Sequence, residues 1–102
     1  MTPAQLAEAE ATIRSAETAG AFEQAPDLLQ KARQALGAAQ QASGKGDQAT
    51  ARERLLETMD YAEAARTRAH AEQRKSEVST VRQQADELEG QVKQLQKQLQ
   101  AP

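Results

Sequence analysis

The chain has 102 residues, with 13 basic and 15 acidic side chains for a net charge of −2. Of its 39 apolar residues, 22 are Ala and only nine are Leu, with three Val and neither Trp nor Cys. So few bulky side chains exclude a thick globular core. The lack of Cys excludes disulfides, thiol catalysis and Cys-ligated zinc, and the balanced charge gives no general reason to bind nucleic acid or anionic membranes.

Ala, Gln, Glu, Lys, Arg and Leu are strong helix formers, so the composition predicts long helices or coiled coil. It argues against β-sandwiches, Rossmann folds and disulfide scaffolds. No apolar run approaches the ~18 residues of a membrane span. No charged-then-apolar leader opens the chain, so no signal peptide is expected within it.

Three helices are legible. Thr2-Pro3-Ala4-Gln5 opens the first: Thr2 is a natural N-cap, Pro3 suits the first helical position, and Gln5 completes a capping box. Leu6, Ala9, Ile13 and Ala16 then recur at helical spacing as one narrow stripe. Gly20 is expected to end this helix. The second begins at Ala25-Pro26, with Leu29, Ala32, Leu36 and Ala39 on one face and Leu28 and Ala35 widening it. Ser43-Gly44-Lys45-Gly46-Asp47 breaks the pattern, with Gly46 in a turn and Asp47 placed to cap the third helix.

From Asp47 to about Leu99 there is no Pro, and the one Gly is Gly90. A helix of these roughly 53 residues would be ~80 Å long, against ~24 Å for each of the first two. The first two are expected to cover only its first third to half. Leu55, Met59, Ala62 and Ala69 form its expected inner stripe, with Leu56 and Ala65 beside it. The stripe fails at Glu72-Gln73-Arg74-Lys75.

A new stripe then begins: Val78, Val81, Ala85, Leu88, Val92, Leu95 and Leu99, spaced 3, 4, 3, 4, 3, 4. This is a heptad seam with Val78, Ala85, Val92 and Leu99 at a, Val81, Leu88 and Leu95 at d, and Gly90 at the outer f position. The phase break near residue 72 resembles a stutter between two packing regimes. The expected fold is all-α: two short helices packed antiparallel on the first part of a long third, residues 1–74, with a projecting coiled-coil tail over residues 75–102. Self-association is the simplest way to cover the seam. In a parallel dimer Glu77 at g would face Arg82 at e. A tail that frays alone, or that packs on another helical protein, is the alternative.

Chemistry is sparse. His70 is the sole His, and Glu63 and Glu77 lie seven residues away on either side, too far to share an ion with it. The acidic pairs Glu53/Glu57 and Asp86/Glu89 sit among Arg52, Arg54, Arg82 and Lys93, as a charged helix surface does. Gly44-Lys45-Gly46 is too short for a phosphate loop and follows no strand. Ser15, Ser43, Ser76 and Ser79 lack a base-and-orienter set. No catalytic residue, metal or cofactor is expected. Arg66, Arg68, His70, Arg74 and Lys75 form the one basic cluster, either an anchor for anionic groups or a solvated face. No aromatics interleave it for base stacking, and Glu63, Glu72 and Glu77 dilute its field. The two aromatics, Phe22 and Tyr61, are expected in core or loop-anchoring roles, with partner binding as the other option.

Residues 19–32 read A-G-A-x-x-x-A-P-x-x-L-x-x-A, and Leu36, Ala39, Gly46 and Asp47 continue the pattern. Over residues 4–70 this resembles the bacterial family named domain of unknown function 4398. Its members are typically Ala-rich helical segments of secreted or lipid-anchored envelope proteins, some followed by a peptidoglycan-binding domain like that of outer membrane protein A. The family usually has Tyr before Ala-Pro, where this chain has Gln24; Phe22 stands nearby as a substitute aromatic. No peptidoglycan-binding domain follows here, so cell-wall binding does not carry over, and the family brings no catalytic residues.

The resemblance implies a non-enzymatic spacer or interaction module of the periplasm or outer membrane, membrane-attached only through an N-terminal anchor outside this sequence. A cytosolic coiled-coil adaptor or chaperone-like helper is the rival reading, favoured if Met1 is the native start.

Overall fold

The computed structural model describes residues 1–101. It has four helices: α1 (Pro3–Thr18), α2 (Ala21–Gln24), α3 (Pro26–Gly44) and α4 (Gln48–Gln100). The chain divides into two units, Met1–Glu72 and Gln73–Pro102.

The helix ends follow from local chemistry. The Gln5 N–H donates to Thr2 Oγ1 at 3.2 Å and the Thr2 N–H to Gln5 Oε1 at 2.9 Å, so the capping box is complete. This satisfies two donors that the start of a helix would otherwise leave open. At the other end, the Gly20 N–H donates to the Glu17 carbonyl at 2.9 Å. Gly20 is left-handed at φ 100°, a conformation that costs a side-chain-bearing residue but not glycine.

The connection from Gly20 to Pro26 is not an irregular loop. It holds the single helical turn α2, with the Gln24 and Ala25 N–H groups donating to the Gly20 and Ala21 carbonyls at 3.0 and 2.9 Å. Ala25 then turns out of helical geometry at φ −148°, as the residue before proline must, and Pro26 starts α3. α3 runs through Gly44, so its break falls at Lys45–Asp47, one residue later than the first expected glycine. Asp47 accepts from the Thr50 N–H at 3.1 Å and caps α4.

Within Met1–Glu72 the three main helices lie side by side in up-down-up order. The Met1 ammonium donates to Gln48 Oε1, joining the start of α1 to the start of α4. Ile13, Ala16 and Ala19 share one buried cluster with Leu29, Ala32, Ala62, Ala65 and Ala69. The end of α1 therefore meets the beginning of α3 and the middle of α4. Farther along α3, Lys31, Gln34, Ala35 and Ala38 line a groove with Arg54, Glu57 and Tyr61, so α3 runs opposite to α4 there.

The interior of this unit is almost entirely Ala. Ala9, Ala16, Ala21, Ala32, Ala39, Ala51, Ala62, Ala65 and Ala69 are all fully buried, and Ile13 and Leu29 are the larger buried apolar side chains. Small residues let helix backbones approach closely. That replaces the volume of a large core with many short contacts between helices.

The buried face of α4 differs from the expected stripe at five positions. Ala51 and Thr58 are buried, Leu55 and Met59 only half so, and Leu56 is 60% exposed. Thr58 is tolerated inside because its hydroxyl donates to the Arg54 carbonyl at 2.9 Å, which removes the cost of an unpaired buried polar group.

The second unit is a single helical stretch, the continuation of α4. Every described residue from Gln73 to Ala101 is exposed.

Candidate interaction surface

The family-like motif turns out to be architectural. Ala19, Ala21 and Ala25 are buried at 7%, 0% and 1% exposure, so the chain between α1 and α3 contributes three methyl groups to the core cluster. Gly20 supplies the left-handed residue between two of them, and Pro26 begins the next helix. Gly46 is the second left-handed glycine, at φ 78°. None of these residues presents chemistry to solvent.

Phe22 takes the loop-anchoring role rather than the core one: it is 56% exposed. The Arg33 guanidinium lies 5.0 Å from its ring centre and also contacts the Glu17 carboxylate at 2.7 Å. Glu17, Phe22 and Arg33 thus form an external clasp tying α1, α2 and α3 together. Tyr61 is half-buried against the core cluster, with the Lys31 ammonium 5.8 Å from its ring.

Arg66, Arg68, His70, Arg74 and Lys75 are all exposed on α4. Arg66 and Arg68 belong to the first unit and Arg74 and Lys75 to the second. Arg66 already leans toward Glu63 at 3.9 Å, in the manner of a charged helix surface. Among the described residues no group of three His, Asp or Glu side chains could hold a metal ion, and no helix is long and apolar enough to cross a membrane.

Two ionisable groups are shifted, and both belong to helix surfaces. The hydroxyl and N–H of Thr50 hold the Asp47 carboxyl below its usual range. The hydrogen bond from Arg54 to Glu57, at 2.6 Å, pushes the Arg54 guanidinium up. Neither arrangement sets a titrating group against a reacting atom. An apolar groove formed by Leu55, Leu56 and Met59, rimmed by Gln5, Glu8 and Arg52, lies open on the first unit.

The largest run of exposed apolar side chains lies on the second unit. Val78 is 49% exposed, Val81 61%, Leu88 61%, Val92 51%, Leu95 57% and Leu99 86%. With Ala85, also exposed, they make up the seven-residue seam. Their a/d spacing on one continuous helix aligns them along one edge. The neighbouring e and g positions carry Glu, Arg and Gln, so the edge is a narrow apolar line with polar margins. What such a line can do is pack against another helix.

No curated protein and no solved structure matches the chain. The family model described as Domain of unknown function (DUF4398) matches residues 4–81. That match takes in the buried Ala faces of all four helices, the Gly20–Pro26 connection and the first two seam residues. The chain belongs to this family of helical domains of unknown function.

Proposed function

We propose that this protein is a non-enzymatic helical spacer and interaction module of the bacterial cell envelope, and that it associates through the Val78–Leu99 seam. The observation that carries the reading is the exposure of six Val and Leu side chains at heptad spacing in a helical stretch, from Gln73 to Ala101, whose residues are all exposed. Apolar area in water favours association by roughly 25 cal/mol per Å² removed, and an a/d line is the geometry a second helix covers. Burying the seam would order and assemble residues 76–100 in one step. The bundle of Met1–Glu72 serves as the folded body that the seam joins to its partner.

The envelope setting rests on the character of the family as the sequence resemblance implies it. The rival setting is a cytosolic adaptor, and fractionation of bacterial cells expressing the native gene distinguishes the two. The protein is expected in the periplasmic or outer-membrane fraction, and recovery wholly in the cytosol overturns that part of the reading. Association is tested separately by sedimentation equilibrium of the full chain across micromolar concentrations. A mass rising above the monomer is expected. A monomer whose tail is fully helical and protease-resistant contradicts the reading.

A further inference from the structure

The seam is only two columns wide. Its e positions are Arg82, Glu89 and Gln96, and its g positions are Glu77, Gln84, Gln91 and Gln98. Three- and four-stranded assemblies bury broader faces, so a line this narrow is covered by one further helix. Val at the a positions 78 and 92 with Leu at the d positions 88 and 95 is the pattern that favours two parallel strands.

We propose that the occupant of the seam is a second copy of this chain, lying parallel and in register from about Ser76 to Gln100. The inference rests on the reading that this seam is where the protein associates, and it adds the identity, direction and register of the partner.

Register decides between this arrangement and the antiparallel ones. In the parallel pair each of the seven seam residues meets its own counterpart, Ala85 included, so the local narrowing falls at the same level on both helices. Glu77 then faces Arg82 of the second copy, twice per dimer. Among the described residues neither Glu77 nor Arg82 has an ion-pair partner within its own chain.

One antiparallel register sets Val78 opposite Leu95. It brings Arg82 to Glu89 of the second copy, but Glu89 already contacts Lys93 on its own helix at 3.5 Å. It also leaves Leu99, the most exposed of the Val and Leu seam residues, opposite Arg74. The other antiparallel register sets Val81 opposite Leu99 and turns the two Glu89 carboxylates against each other. Like charges directly facing weaken such a pair, so the parallel register is the one that keeps both the apolar layers and the charges matched.

The test is a charge-swap series on the full chain, read as the dimer dissociation constant by sedimentation equilibrium, with helicity checked by circular dichroism. Arg82→Glu should weaken dimerisation about fivefold, the effect of turning two exposed attractive pairs repulsive. Adding Glu77→Arg should recover most of that loss, whereas adding Glu89→Arg should not. Recovery by Glu89→Arg instead would establish the antiparallel register and overturn the proposal. An unchanged dissociation constant in Arg82→Glu, or a wild-type mass above two copies, would overturn it while leaving seam-mediated association standing. A wild-type chain that remains monomeric throughout would remove both.

Discussion

The two units of this chain place their apolar residues in opposite ways. In Met1–Glu72 the buried residues are mostly the smallest, with Ala supplying all but Ile13 and Leu29 of the buried apolar positions. In the second unit the apolar residues are larger, and all of them face solvent. Size therefore does not predict burial here. Ala is inside because three helices approach closely enough to exclude water with methyl groups alone. Val and Leu are outside because only one helix is present to receive them. The first unit buries its own apolar stripe, and the second leaves its seam exposed.

That contrast can be broken from either side. The largest expected effect is on association. Leu95→Asp places a charge in a d layer and should raise the dimer dissociation constant at least a hundredfold, since a buried unpaired charge opposes assembly strongly. The thermal unfolding of the bundle, followed on dilute monomer, should not change. A bundle that is also destabilised would show that the seam already packs within the chain.

Leu29→Ala is the complementary change. Leu29 is 2% exposed, and truncation should cost about 2–4 kcal/mol in urea unfolding. A loss well under 1 kcal/mol would mean that the Ala interior yields easily.

Ala62→Leu tests close approach directly. Ala62 is fully buried, and three added carbons should destabilise by about 1–3 kcal/mol through overpacking. Neutrality would point to unfilled space between the helices.

Gly90→Ala should act the other way and only on the tail. Nothing lies within 4 Å of a Cβ built there, so the change removes a helix-weakening glycine from an outer position. It is worth about 0.5–1 kcal/mol of helix stability and should tighten association severalfold.

The smallest effect concerns pH. The Thr50 contacts lower the Asp47 carboxyl, so its capping contribution is complete above the ordinary Asp value of about 3.9. It is lost as pH falls through the lower folded value. Asp47→Asn keeps an acceptor for the Thr50 N–H without the titration. Circular dichroism of the two proteins should run together near neutrality and separate only in acid, with the Asn form less affected.

Much of this architecture is written in local chemistry. Thr2, Gln5, Gly20, Pro26 and Asp47 each act through their nearest neighbours, so their roles can be read without knowing the fold. The single turn α2 is different, because four residues are too few to display a helical period.

The faces of α4 are harder for another reason. With 22 Ala distributed around the helices, several faces qualify as apolar, and the approach of α1 and α3 selects among them. Hydropathy therefore favours Leu56 and passes over Ala51. It also rejects Thr58, whose hydroxyl is satisfied by the preceding turn of its own helix. For Phe22 the sequence leaves core and loop-anchoring roles open, and the choice is made by Arg33, a residue on another helix. The spacing of the seam is plain in the sequence. What covers it is not, because among the described residues no other part of the unit Gln73–Pro102 lies against it.

Amide hydrogen exchange of the full chain, measured at several protein concentrations, tests the central claim most directly. Protection across residues 76–100 should rise with concentration, while protection within residues 1–72 stays constant. Tail amides that are equally protected at the highest dilution, or unprotected at every concentration, would contradict it.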